Sequence, residues 1–149
     1  MLFSNESFIY LLIKIKNMKI EYHLENLKES VKEIEKSITE GLLQKQRTLG
    51  FHTSAGAVDI LEIILHKNNL IDPGFVIKHE WFNSKRKIAE KFPFEFPSKK
   101  EIINLVTKIE NVRNKLCYGK RADEKELEQL VKDFTLLKKI FMEATNYEL

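Results

Sequence analysis

The chain has 149 residues, 43% of them hydrophobic and 32% charged, which suits one domain with one core and excludes a disordered polymer. Its 25 Lys and Arg against 22 Asp and Glu leave a net charge of +3, too weak to argue for nucleic acid without a clustered patch. The single cysteine excludes an intramolecular disulfide and a cysteine-based zinc site, and it fits a reducing cytoplasm.

Five glycines and three prolines are too few breakers for many short strands, so long helices are favoured. The run from Phe8 to Lys16 is apolar but shorter than the roughly 20 residues of a membrane span. No charged leader precedes it and no small-residue cleavage site follows it. It reads as a strand-like or disordered tail, residues 1–17, ahead of a helical domain over residues 18–149. The alternative is that translation starts at Met18, because the helical pattern begins just after it.

From Leu24 the spacing is helical. Leu24, Leu27, Val31, Ile34 and Ile38 step by three and four and share a face, and Gly41 ends or kinks the pattern. A second helix is expected from Leu43 or Thr48 to His66, striped by Phe51, Ala55, Val58, Leu61 and Leu65. Its Ala55-Gly56-Ala57 would let another backbone approach. Asp72-Pro73-Gly74 is a turn signal. A short helix follows from His79 to Lys91, with Trp81 anchoring it to the core. Pro93 and Pro97 make Phe92, Phe94 and Phe96 an extended linker pinned to that core. Ser98 with Glu101 reads as a capping box for a helix striped by Ile102, Leu105, Ile109, Val112 and Leu116. Asp123 with Glu126 starts the last helix, whose apolar face runs from Leu127 to Phe141. The sum is an all-α antiparallel bundle of four to five helices.

Arg113 stands out on the fourth helix. At about 100° per residue it falls near 20° from Ile102, inside or beside the apolar face. A guanidinium seldom sits there unpartnered. Either Glu110, one turn earlier, neutralises it, or the cation is held in a cleft to meet phosphate.

The stretch "RNKLCYG", residues 113 to 119, near the end of the penultimate long helix resembles the HEPN superfamily of helical nucleotide-binding domains. The resemblance covers roughly Tyr22 to Ala144. It implies a homodimeric bundle that brings two such motifs together over RNA in the ribonuclease members. The family has an Arg-Asn start and then a His, four to six residues separating Arg from His. Arg113 and Asn114 match, and Tyr118 stands where the His would be. Tyrosine, with an unperturbed pKa of about 10, is a poor general base near neutrality. Some toxin–antitoxin relatives carry a Tyr two residues after the His, modified by a nucleotidyltransferase partner. Tyr118 is not at that spacing, so the role is not transferred to it, although a partner of that type remains in view.

The other candidates are weaker. His23, His52, His66 and His79 read as solvent-facing or capping residues. Glu62 and His66 share a face, but no further ligands are spaced for a metal. Lys85, Arg86 and Lys87 lie beside Trp81, a mixture that can hold phosphates and stack bases, and Lys120 and Arg121 would extend that patch if the fold brought them near. Cys117 reads as a small buried hydrophobe.

The expectation is a cytoplasmic helical domain that binds RNA or a nucleotide, with ribonuclease activity weakened or lost and no cofactor, metal or membrane. Arg113 would contact phosphate, Asn114 would orient it, and Tyr118 would stack or donate a hydrogen bond. The rival is a non-catalytic protein-interaction bundle, which predicts an apolar groove and an Arg113–Glu110 pair. A third option is an active ribonuclease using Tyr118 or a distant histidine.

Overall fold

The structure, a computed structural model, describes residues 4–149. It is all-helical among those residues. Five α-helices follow one another: α1 (Asn5–Glu40), α2 (Gln46–Lys67), α3 (Lys85–Lys91), α4 (Lys99–Tyr118) and α5 (Glu124–Thr145). Short 3-10 turns precede α2 and α3, at Leu43–Lys45 and His79–Asn83.

α1 corrects the reading of the N-terminal stretch as strand-like or disordered. Ser4 caps the helix, its side chain accepting a hydrogen bond from the Ser7 N–H at 3.2 Å. No glycine or proline interrupts the next 36 residues, so nothing stops propagation once the first turn is closed. The helix ends at Gly41, whose φ of 119° strains any residue with a Cβ. Its first fourteen residues bury almost nothing: Phe8, Ile9, Tyr10, Leu11, Leu12 and Ile13 are all exposed. Ile20 is the first buried residue of the helix.

α2 is the hub, packed by α1, α4 and α5. It is apolar around most of its circumference, so the single expected stripe does not describe it. Phe51 is exposed, whereas Leu49, Ile60, Ile63 and Ile64 are buried beside Leu61 and Leu65. Among the described residues, one helical stretch, Leu43–Lys67, is long and apolar enough to cross a membrane, yet 72% of its apolar window is covered by the bundle. α4 crosses α2 closely at Gly50, where a Cβ would come within 2.7 Å of the Leu116 Cβ. Gly56 seats the Phe134 ring of α5, rather than a neighbouring backbone.

The expected helix from His79 to Lys91 is two pieces. A 3-10 turn buries Trp81 and Phe82, and Ser84 then caps α3 by accepting from the Lys87 N–H at 3.1 Å. The linker after α3 is pinned as expected, with Phe92 and Phe96 buried. Ser98 is not the cap of α4. It sits at φ 60°, ψ 22°, with no side-chain capping bond. The chain turns back at once after the anchored Phe96, closing a Lys99 N–H to Phe96 carbonyl bond at 3.2 Å. Ser98 therefore lacks the extended backbone that a capping side chain needs. Asp123 does cap α5, accepting from the Glu126 N–H at 2.9 Å.

Candidate functional site

Glu110, Arg113 and Asn114 occupy one face of α4, since residues three and four apart stack on a helix. That face looks across to the segment carrying Lys78, His79 and Asn83. Between them lies a polar cleft of about 550 Å³. Arg113 is half-buried at its wall and Asn114 is exposed.

The Arg113–Glu110 pair, one of the two readings of the sequence, is absent among the described residues. Glu110 is committed elsewhere. Its Oε1 accepts from the Ser54 hydroxyl at 2.6 Å, and its Oε2 accepts from His79 Nδ1 at 2.7 Å. Its side chain is 2% exposed while that of His79 is 42% exposed. A buried carboxylate takes the closest donors that satisfy both oxygens, and Ser54 on α2 and His79, themselves 3.2 Å apart, supply them. Arg113 has no carboxylate within ion-pair distance among the described residues. Its one side-chain hydrogen bond is to Asn114 Oδ1, at 3.4 Å.

This arrangement fixes the histidine. With Nδ1–H directed to a carboxylate, the neutral imidazole carries its free lone pair on Nε2. The cleft therefore combines Arg113, which has no ion-pair partner among the described residues, an oriented imidazole, two asparagine amides, and the Lys78 and Glu80 side chains. Such a set can bind a phosphate and move a proton beside it. The spacing of His79 from Glu110, 31 residues, and of Ser54 from Glu110, 56 residues, left no local signal in the sequence.

The other expected residues fall elsewhere. Tyr118 is 74% exposed and lines a separate shallow depression with Arg47, Cys117 and Arg121. Five residues past Arg113 is about 500° of helix, so the two side chains point roughly 140° apart. Lys120 and Arg121 sit beside the start of α2. The Lys120 carbonyl accepts from Gln46 Nε2 at 3.1 Å, and Arg121 Nη1 donates to the Leu43 carbonyl at 3.4 Å. Arg121 and Lys85 line different depressions. Lys85 borders a mainly apolar groove between α3 and α4, of about 950 Å³, and Arg86 lies 3.8 Å from Glu90. Cys117 is buried as expected, and burial pushes its thiol up against the pull of Arg113 and Arg47.

His79 is partly exposed, whereas His23 and His66 are neither solvent-facing nor capping. His52 Nδ1 lies 3.1 Å from the Ser30 hydroxyl. His66 is fully buried. His23 reaches from α1 between Asp59 and Glu62 of α2. Burial lowers the His23 imidazole, but the two carboxylates outweigh it and hold the group at about 9. Burial raises Asp59, while Glu62, also buried, is held below its usual range by His23 and the Ile77 N–H. Burial lowers His66. The sequence signal for this cluster was the placement of Asp59, Glu62 and His66 within the most apolar helix, where each needs a partner.

No family model, no curated protein and no solved structure matches this chain.

Proposed function

We propose that the chain is a HEPN-like helical domain that binds RNA or a nucleotide through the α4 cleft. Arg113 takes the phosphate, and Asn114 and Asn83 orient it. The observation that carries this reading is the uncompensated guanidinium beside Glu110, whose own oxygens are engaged by Ser54 and His79. Glu80 also lines the cleft but makes no ion pair with Arg113, so the guanidinium is available to a phosphate oxygen. The protein-interaction rival finds an apolar groove between α3 and α4 but not its Arg113–Glu110 pair. The resemblance brings a homodimer with it, and the exposed apolar start of α1 is a surface suited to forming one.

The test is binding of a short single-stranded RNA across a salt series. Arg113→Ala should weaken binding by about tenfold or more, as expected for loss of a charge-assisted hydrogen bond, and should flatten the salt dependence. Equal affinity in a folded variant would remove the assignment.

His79 favours a second reading, metal-independent cleavage of RNA. Its Nε2 would take the proton of a ribose 2′-hydroxyl as that oxygen attacks the adjacent phosphorus, the P–O5′ bond would break to leave a 2′,3′-cyclic phosphate, the departing 5′-oxygen would take a proton from water, and Arg113 would stabilise the charge that gathers on the phosphoryl oxygens. His79 would then do what the missing motif histidine does in the family. Cleavage in EDTA that is lost in His79→Ala and kept in Tyr118→Phe supports this reading. No cleavage by the wild type removes it and leaves binding alone.

A further inference from the structure

Three metal-ligating side chains converge in the interior between α1 and α2, outside the cleft. His23 comes from α1, and Glu62 and His66, one turn apart, come from α2. One donor atom from each lies within 4.8 Å of the other two. His66 is 0% exposed, and neither of its ring nitrogens has a hydrogen-bond partner. Burying an imidazole with nothing to bond is costly and calls for an explanation. His23 Nε2 faces Glu62 Oε2 yet makes no hydrogen bond of sound geometry there.

The far sides of the same groups are held in place. Asp59 Oδ1 accepts from His23 Nδ1 at 2.8 Å. The Ile77 N–H donates to Glu62 Oε1 at 2.9 Å. A carboxylate behind a histidine, and an N–H behind a carboxylate, are the outer contacts that orient ligands towards a metal ion. The nitrogens and oxygen left over are those that face one another.

We propose that His23, Glu62 and His66 bind a divalent transition-metal ion, with zinc the best fit to two imidazoles and one carboxylate. Ligation through His23 Nε2 uses the neutral imidazole, so any proton on that nitrogen leaves to solvent as the ion binds. Asp59, which holds His23 from behind, borders a surface depression of about 470 Å³. The site is structural. It ties α1 to α2 and, through Glu62 and Ile77, steadies the segment that delivers His79 to the cleft.

The experiment uses the full chain, stripped with EDTA and titrated with Co²⁺ and then Zn²⁺. Stoichiometric binding, visible Co²⁺ bands that Zn²⁺ abolishes, and a rise in Tm of about 5–10 °C at metal a hundredfold above its dissociation constant are expected. His66→Leu fills the same buried space with an apolar side chain and should lose both signals while keeping its helical circular dichroism. If that variant does not fold, His23→Gln at the margin of the core carries the same test. Absence of the bands and the Tm rise in wild type overturns the proposal, as does their retention in the folded variant. Neither readout involves RNA, so failure here is separate from failure of the cleft assignment.

Discussion

Glu110 decides what Arg113 is free to do. A buried carboxylate satisfied by a hydroxyl and an imidazole has no oxygen left uncommitted for a guanidinium one turn away. Replacing it by glutamine puts an amide N–H₂ against one of those donors, and an unmade buried hydrogen bond costs about 1–3 kcal/mol. Glu110→Gln is therefore expected to lower the urea midpoint by that amount of stability while keeping the fold, and an unchanged midpoint would mean that the network is not closed. Helical spacing was enough to place Arg113 beside the apolar face and to put Glu110 within its reach. It could not reveal the competition, because Ser54 and His79 enter from other elements. The same limit hid His23, which meets Asp59 and Glu62 only once α1 lies along α2.

At the scale of elements, the readable signals were those enclosed within a few residues. Gly41 as a stop, Asp123 as a cap and the pinned phenylalanines of the linker all follow from local chemistry. Ser98 failed as a cap because its backbone is set by Phe96 and the turn, not by its own side chain. α2 was misread as one-sided because a helix packed on several sides has no single stripe. The start of α1 is the opposite case, an apolar helix that packs on little. Its exposed side chains add little to folding stability but offer a large surface for association. Removing residues 1–15 should shift Tm by less than about 3 °C, since the side chains described among them, residues 4–15, are exposed and bury little area, and should reduce self-association in sedimentation. A Tm loss of about 10 °C or more would show that the arm belongs to the core after all.

For the whole molecule, the class of fold was legible from scarce breakers and helical periodicity, whereas the cleft was not. The bundle places α4 against the 3-10 turn that carries His79, and so sets an oriented imidazole opposite an unpaired arginine without any local motif joining them. The motif position itself, Tyr118, is turned away on the same helix. The central claim is that phosphate meets Arg113 and His79 together. Its most direct test is a nuclear magnetic resonance titration of the labelled chain with a short RNA, following the Arg113 Nε–H and the His79 imidazole. The account predicts that these two signals, with the Asn83 and Asn114 side-chain amides, shift first and saturate together. Shifts confined to Lys85, Arg86 and Lys87, or to the depression around Tyr118, with the cleft signals unmoved, would contradict it.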